Sequence, residues 1–282
     1  MSGRHGIPSL PELKLVAIDA SRAGLEGPRM SYMEMGAQHR DTVVLLHGIG
    51  SNSTGWRFVM PALAVDHRVI AWNAPGYYLS DSIAAESPSH QAYSDALAAL
   101  LDALGVASAD IVGSSFGSLV AASFASRFPD RVGRLVLLGT TRGQAWLPPD
   151  ERARRLEMRA ASIRDGGLAL GETRWMNLVS SAASATTVTL VKEVLGATHA
   201  RGMMQAARTS DATDVVELVP GIKARTLLAV GTEDRVNPPE ISRAIASAMK
   251  DARLVELPGV GHLPKLEAPE RTIELIREHL ST

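Results

Sequence analysis

The sequence predicts an α/β fold, in which a mostly parallel central sheet is flanked by helices and a helical cap is inserted between two strands. Short apolar runs alternate with longer helical patterns up to about residue 141, which is typical of βαβ units with right-handed crossovers. The strand pattern is absent from residues 142–219, and the alternation resumes in residues 220–282. We therefore predict a core formed by residues 1–141 and 220–282 and a cap formed by residues 142–219.

The first part of the core begins with a pair of strands and then alternates strands with helices. The run "TVVLLH" is continuously apolar and ends in a glycine turn, as expected for a strand that is buried on both faces. In chain order the predicted elements are strands "LKLVAID", "RMSYMEMG" and "TVVLLH", helix "TGWRFVMPALA", strand "HRVIAWN", helix "HQAYSDALAALLDALG", strand "ADIVG", helix "FGSLVAASFASRF" and strand "VGRLVLLGT".

The cap pattern is helical, and it is followed by two further strand–helix pairs. The stretch "PPDERARRLEMRAASIRDGG" opens with prolines suited to a helix N-terminus, and "SSAASATTVT" predicts a turn within the cap. The later elements are strand "ARTLLAVG", a helix after Pro238 and Pro239, strand "ARLVELPG" and a closing helix from Pro269 to Leu280. Helices inserted between sheet strands should cover the carboxyl edge of the sheet, where α/β folds bind ligands.

Composition and charge narrow the class of partner. The chain has 282 residues, with 29 Lys and Arg against 30 Asp and Glu and no cysteine, which argues against a nucleic-acid partner and excludes thiol catalysis and disulfides. We find neither a signal-peptide pattern nor an apolar run long enough to span a membrane, and no metal-ligand cluster or phosphate loop. We therefore expect a cytoplasmic enzyme that acts on a small molecule without a metal, a cofactor or a membrane partner. The sequence leaves a homodimer open.

The stretch "IVGSSFGSLV" places Ser115 at a tight turn between a strand and a helix, in the pattern G-x-S-x-G. Such a turn strains the backbone of the central residue, and glycines at 113 and 117 remove collisions with the neighbouring strand and helix. The turn lifts the Ser115 hydroxyl to a helix N-terminus, where developing negative charge is favoured. We predict that Ser115 is a nucleophile.

A serine nucleophile needs a base, and the base needs an acid that orients it. His262 lies in "LPGVGHLP", directly after the last predicted strand, and Asp234 lies in "VGTEDRVNPP", directly after the penultimate one. Both positions belong to the sheet edge that carries Ser115, so we predict a triad of these three residues. Glu233 is the rival acid, and Asp81 is predicted to hold a loop.

Acyl transfer also requires donors for the oxyanion, usually two backbone N–H groups. Phe116 follows the nucleophile and supplies the first. The turn "HGIGS" after the strand "TVVLL" supplies the second, which we assign to Ile49. Gly48 and Gly50 allow this turn to come close, and Gly48 is also predicted to contact the substrate; His47 is predicted to be structural.

With these motifs in place, the chain resembles the α/β-hydrolase superfamily over nearly its whole length. The segments "LLHGIG", "AWNAPGYYLSD", "VGSSFGSLVA", "VGTEDRVNPP" and "GVGHLPKLEAPE" follow the family order and spacing. The resemblance implies the α/β-hydrolase fold, and it implies triad roles for Ser115, Asp234 and His262 and oxyanion roles for Ile49 and Phe116. Asp234 is preferred to Glu233 because it matches the family spacing.

The resemblance also bears on the reaction. The cap is similar to those of 3-oxoadipate enol-lactonases and small carboxylesterases, which implies cleavage of an ester or lactone of a small, largely apolar substrate through an acyl-enzyme. C–C bond hydrolases acting on vinylogous diketones share the triad, but they usually have a Gly-Pro-Gly turn and a Trp after the catalytic His, where this chain has "HGIGSNS" and Leu263. Dehalogenases and epoxide hydrolases need a carboxylate nucleophile. A ligand-binding member of the fold without catalysis is the third alternative.

Cap residues are the candidates for the substrate pocket. Arg174, Arg201 and Arg208 are candidates to recognise a substrate carboxylate, against the alternative that they are solvated. The candidate pocket walls, which could instead pack the cap helices together, are Trp146, Trp175, Met176, Met203 and Met204.

Overall fold

A computed structural model describes residues 6–281, and its centre is an eight-stranded sheet of order β1-β2-β4-β3-β5-β6-β7-β8. β2 pairs antiparallel with both β1 and β4, and every other neighbouring pair is parallel. The predicted mostly parallel sheet is therefore confirmed. The strands are β1 (Leu13–Ala17), β2 (Arg29–Met35), β3 (Thr42–Leu46), β4 (Arg68–Trp72), β5 (Ala109–Ser114), β6 (Val132–Leu138), β7 (Arg225–Gly231) and β8 (Ala252–Leu257).

Helices cover both faces of the sheet, and the segment between β6 and β7 consists of helices joined by loops. The α-helices are α1 (Ala20–Ala23), α2 (Val59–Leu63), α3 (His90–Ala103), α4 (Phe116–Arg127), α5 (Pro149–Ile163), α6 (Gly166–Arg174), α7 (Ala185–Gly196), α8 (Ala200–Asp211), α9 (Val215–Leu218), α10 (Pro239–Ala248), α11 (Pro264–Glu267) and α12 (Pro269–Leu280). Short 3₁₀ helices occupy Ser53–Trp56, Pro129–Arg131, Trp175–Asn177 and Val219–Gly221. Within residues 6–281, no helix is long and apolar enough to cross a membrane.

The core consists of two apolar layers, one on each face of the sheet. Because successive strand residues point to opposite faces, Val44 and Leu46 of β3 pack in one layer with residues of α3 and α4, whereas Val43 and Leu45 pack in the other with α2 and α12. All five residues of β3 are buried. This explains why its sequence is continuously apolar rather than alternating.

Two predicted elements differ from the structure. The predicted helix "TGWRFVMPALA" is divided into the 3₁₀ helix Ser53–Trp56 and α2, because Pro61 has no N–H with which to continue a single helix through both. Only the first half of the predicted turn "SSAASATTVT" lies outside a helix, since α7 begins at Ala185. The Ser184 hydroxyl oxygen accepts a bond from the Thr187 N–H at 3.1 Å, so a residue type common in turns acts here as a helix cap.

The segment 142–219, which the sequence predicts to be the cap and which we call the cap, has its first residue beside Asp214, and its last residues, from Val215 on, pack in the core layer that contains α4. Arg142 and Asp214 form an ion pair at 2.6 Å, and the Val215 N–H donates to the Arg142 carbonyl. Cap residues such as Leu170 and Leu195 form a third apolar cluster, which also contains Leu266 of the core. The cap is thus packed onto the sheet edge at which β5, β7 and β8 end.

Candidate active site

Ser115 connects β5 to α4 in a strained backbone conformation. Its φ is 54° and its ψ is −119°, a region that residues other than glycine rarely adopt. A Cβ at Gly113 would lie 2.4 Å from the Gly117 carbonyl oxygen, and a Cβ at Gly117 would lie 2.1 Å from the carbonyl oxygen of Leu46. The two glycines therefore make this turn possible, as the G-x-S-x-G pattern predicts.

Asp234 and His262 form a buried pair after β7 and β8. The His262 Nδ1 and the Asp234 Oδ2 are 2.7 Å apart, and each residue is 3% exposed. The other carboxylate oxygen accepts the N–H groups of Val236 and Asn237 at 2.9 and 2.8 Å, which fixes its orientation. With Nδ1–H donated to the carboxylate, the Nε2 of His262 is left as the acceptor that a base requires.

Glu233 has a different partner from its neighbour Asp234. Its carboxylate accepts the N–H of Ser181 at 3.1 Å and the hydroxyl of the same residue at 3.2 Å, at an exposed position. A different carboxylate, that of Glu267, accepts the N–H groups of Gly261 and Ser180. Glu267 therefore ties the turn before His262 to the cap, and Asp234 is the acidic residue that contacts the imidazole.

Ser115 and His262 lie in the walls of the same two cavities. No hydrogen bond joins the Ser115 hydroxyl to the ring of His262 within the part of the chain that the structure describes. Catalytic hydrogen bonds are often long in a ligand-free site and shorten when a substrate binds. The structure thus brings the three predicted triad residues to one rim of the sheet, with the Asp–His contact formed.

The two predicted oxyanion donors also lie beside Ser115. Ile49 and Phe116 line one of the cavities with Ser115, and the N–H of Phe116, as the first residue of α4, has no partner within the helix. Gly48 is close to the nucleophile, since a Cβ there would lie 2.8 Å from the Cβ of Ser115. Gly50 has a φ of 73°, which explains why a glycine is needed at this turn.

His47 is a buried structural residue, in agreement with the sequence interpretation. Its Nε2 accepts the Ala74 N–H at 3.0 Å, and its Nδ1 donates to the Gly48 carbonyl at 2.9 Å. Burial lowers the pKa of His47 to about 4, so the ring is neutral and holds the turn that carries Ile49.

The two cavities differ in chemistry. The first, which we call the apolar cavity, has about 400 Å³ of empty space. The second, which we call the arginine cavity, has about 570 Å³. Besides Ser115 and His262, the apolar cavity is lined by Leu178, Val191, Val194, Leu195, Leu263 and Leu266, among others. Polar residues that line the arginine cavity include Thr141, Gln144, Arg155, Arg159, Arg174 and Asn237.

Five cap residues predicted as pocket walls line neither cavity, whereas Gly48 lines the apolar one. Trp146 and Met176 are 44% and 53% exposed. Met203 is fully buried in the third apolar cluster, and Trp175 and Met204 pack against that cluster. The prediction is wrong for these five residues because their side chains pack the cap helices together or are exposed to solvent. Smaller aliphatic residues such as Val191 and Leu195 line the apolar cavity instead.

Lys265 is a site residue that the sequence interpretation missed. It is 1% exposed, its Nζ lies 2.7 Å from the Ser114 Oγ and 4.5 Å from the centre of the Trp56 ring, and it lines the apolar cavity. No carboxylate within residues 6–281 pairs with it, and burial lowers its pKa to about 7. The sequence did contain a signal for this residue. Lys265 is a charged residue three positions after His262, with apolar residues on both sides in "HLPKL".

We expect the substitution Lys265→Met to stabilise the protein more at pH 7 than at pH 9.5. Between the native pKa of about 7 and the unfolded value of about 10.4, the unfolded chain binds the extra proton, so stability rises with pH across this window. Methionine removes that dependence on pH. The free energy of unfolding gained by the substitution should therefore be smaller at pH 9.5 than at pH 7, by about 3 kcal/mol. Urea unfolding at both pH values measures it. The exposed Lys250→Met is the control, and an equal gain at both pH values would contradict the assignment.

The fold and the site together define a class of protein: a strained serine at a strand–helix turn and a buried Asp–His pair meet at the carboxyl edge of a mostly parallel sheet, beneath a helical cap. The chain belongs to the α/β-hydrolase fold family, whose model matches residues 41–269. It is a serine hydrolase of this fold.

Individual relatives differ in the reactions that their names describe. A 2-hydroxy-6-oxononadienedioate/2-hydroxy-6-oxononatrienedioate hydrolase from Burkholderia vietnamiensis is 31% identical, over 89% of this chain and 91% of its own. A thermophilic esterase from Thermogutta terrifontis is similar in structure, with a TM-score of 0.83, 25% identity and coverage of 96% of this chain and 98% of its own. The enol-lactonase from Burkholderia xenovorans LB400 has a TM-score of 0.81 at 23% identity, covering 94% and 100% of the two chains, which supports the fold alone.

Proposed function

We propose that the protein hydrolyses a carboxylic ester or lactone of a small substrate through an acyl-enzyme on Ser115. The observation that carries the proposal is the buried Asp234–His262 pair, at 2.7 Å, in the wall of the same cavities as a serine in a strained turn. The similarity to a thermophilic esterase at 25% identity also supports it.

The proposed reaction has two halves, and His262 acts first as base and then as acid in each. His262 Nε2 accepts the Ser115 proton while Oγ attacks the carbonyl carbon, and the resulting oxyanion lies against the N–H groups of Ile49 and Phe116. The imidazolium, stabilised by Asp234, donates its proton to the leaving alkoxide, and the C–O bond breaks. Water then attacks the acyl carbon while His262 accepts its proton. The bond from the acyl carbon to Oγ breaks, the imidazolium donates its proton to Oγ, and the acid is released.

A C–C bond hydrolase acting on a vinylogous diketone is the second candidate. The names of the curated relatives favour it, since the relative from Burkholderia vietnamiensis is a 2-hydroxy-6-oxononadienedioate hydrolase at 31% identity. The residue after His262 weighs against it: Leu263 is aliphatic and lines the apolar cavity, where such hydrolases usually have a tryptophan. Both candidates use the same triad, so only the substrate separates them.

Parallel assays on three probes test the proposal. We expect kcat/KM for a short aryl ester or a lactone to exceed that for a vinylogous diketone by tenfold or more, after subtraction of the rate with the Ser115→Ala variant. A larger value for the diketone would favour the C–C hydrolase instead.

Labelling separates both enzymes from a non-catalytic ligand-binding protein. A fluorophosphonate should modify the wild-type chain once, at Ser115, and should leave Ser115→Ala unmodified. A wild-type chain that is neither labelled nor active on any of the three probes would contradict the enzymatic proposals.

A further inference from the structure

Lys265 differs from the other lysines of the chain because it is buried and has no acidic partner within residues 6–281. It is the second residue of α11 and is 1% exposed. Burial lowers its pKa to about 7, so near pH 8 most of this side chain is a neutral amine. The other four lysines either form an ion pair with a glutamate or are exposed to solvent: Lys14, Lys192, Lys223 and Lys250.

The contacts of the Lys265 amine hold it in one place. Its Nζ donates to the Ser114 Oγ at 2.7 Å and lies 4.5 Å from the centre of the Trp56 ring. A Cβ added at Gly55 would lie 3.7 Å from the Cε of Lys265, so the 3₁₀ helix Ser53–Trp56 packs along the side chain. An amine that donates an N–H to a hydroxyl oxygen keeps its lone pair. The fixed amine can therefore still act as a nucleophile.

The apolar cavity brings small molecules to this amine. Lys265 lines it together with Ser114, Ser115 and His262. Its empty space of about 400 Å³ lies within the range of small-molecule sites, roughly 300–1,000 Å³. Its other walls are mainly aliphatic, and none of its lining residues is an aspartate or a glutamate. A compound that reaches Ser115 through this cavity therefore also meets the amine, in surroundings that favour an apolar molecule.

A purely structural role does not explain why this residue is a lysine. The Ser114 hydroxyl could be bonded equally well by an uncharged amide side chain. Lysine adds the cost of removing an ammonium group from water, and no carboxylate within the described part of the chain offsets that cost. The distinctive property of a lysine at this position is the reactivity of its neutral amine.

We propose that Lys265 is a second nucleophile of the apolar cavity and captures small apolar aldehydes and ketones as covalent imines. A lysine that is desolvated in an apolar pocket is activated because its amine is not protonated. A neutral imine also removes the cost of burying an ammonium group. The capture does not depend on which bond is cleaved at Ser115.

The capture is a condensation in which nothing is oxidised or reduced. The Nζ lone pair attacks the carbonyl carbon, two protons pass from the nitrogen to the oxygen, and the C–O bond breaks as a C=N bond forms. Water is the leaving group. With a 1,3-diketone, a proton then moves from the carbon between the two carbonyl groups to the nitrogen. The product is a conjugated enaminone, which is stable and absorbs in the near ultraviolet.

Labelling of the Ser115→Ala protein with benzoylacetone, a 1,3-diketone, tests the proposal. This variant is used because a serine nucleophile could itself add to the diketone or cleave it. At pH 8 we expect one enaminone per chain, seen as the mass of one diketone less one water, and peptide mapping should place it on Lys265. The initial rate of labelling at Lys265 should exceed that at the exposed Lys250 by tenfold or more.

Matched variants and the peptide map identify the labelled amine. Adding Lys265→Met to the Ser115→Ala protein should abolish the enaminone, whereas adding Lys250→Met should leave its rate of formation unchanged. The N-terminal amine ionises in the same pH range, and the map separates it from Lys265. The map reads the site in a chain that retains Lys265, so the result does not depend on how the methionine variant folds. The proposal is overturned if Lys265 is labelled no faster than Lys250.

Fluorophosphonate labelling tests whether the captured compound lies beside Ser115. Wild-type protein that carries the enaminone on Lys265 should react with the fluorophosphonate at least tenfold more slowly than unmodified protein, because the adduct fills the apolar cavity. An unchanged rate would place the amine outside this cavity and would overturn the proposal. If the unmodified protein does not react with the fluorophosphonate at all, the function proposed for Ser115 fails, and the Ser115→Ala experiment still decides whether Lys265 captures carbonyl compounds.

Discussion

Replacing Ser115 with alanine is expected to lower kcat for a short aryl ester by a factor of about 10⁴–10⁶ while leaving the fold intact. The substitution removes the atom that would form the acyl-enzyme. It removes no hydrogen bond of the side chain, since the turn is held by the backbone, with the Ser115 N–H donating to the Leu138 carbonyl at 2.9 Å. Steady-state kinetics measure the loss, and thermal unfolding checks the fold.

Ser126→Ala is the matched control for this prediction. Ser126 lies on the same helix, α4, but lines neither cavity, so its replacement should change kcat by less than twofold. A Ser115→Ala protein that retains more than a tenth of the wild-type kcat, with no contaminating esterase, would show that another residue is the nucleophile.

Asp234→Asn is expected to lower kcat by about 10³–10⁴ near neutral pH. The asparagine retains an oxygen for the N–H groups of Val236 and Asn237, so the loop should keep its conformation. Its amide N–H₂, however, would face Nδ1 of His262 in place of a carboxylate oxygen. The imidazole would then carry its proton on Nε2, where it cannot accept the proton of Ser115. The pH dependence of kcat/KM measures the effect.

The adjacent carboxylate provides the control for Asp234. Glu233→Gln removes a charge one residue away but alters only the contact with Ser181, so we expect kcat to change by less than threefold. If Glu233→Gln abolished activity and Asp234→Asn did not, the acid of the triad would be assigned to the wrong residue.

Local sequence signals were sufficient to predict the elements that form the sheet and the tight turn at Ser115. The closing helix was predicted from Pro269 to Leu280, and α12 has these bounds. Proline at the first helical position and the apolar period are properties of the segment itself. The turn at Ser115 was predictable for the same reason, because Gly113 and Gly117 relieve contacts within a few residues of the serine.

The contacts of the cap were harder to predict from the sequence, because its amphipathic helices have more than one possible packing partner. A buried helix face can lie against the substrate cavity or against another helix, and the sequence does not distinguish them. The sequence therefore predicts pocket walls at large side chains such as Met203, which in the structure pack within the cap. The sequence gives no signal for Arg159, since nothing in "RRLEMRAAS" distinguishes an arginine that lines a cavity from one in solvent.

By itself, the sequence determined the order of strands and helices, the serine turn and the two loops that carry Asp234 and His262, because each depends on residues that are close in the chain. Only the tertiary structure decided that Lys265 is buried beside Ser114 and that Arg159 and Arg174 line a cavity with Ser115. These contacts join segments far apart in sequence, and their geometry depends on how the cap packs on the sheet.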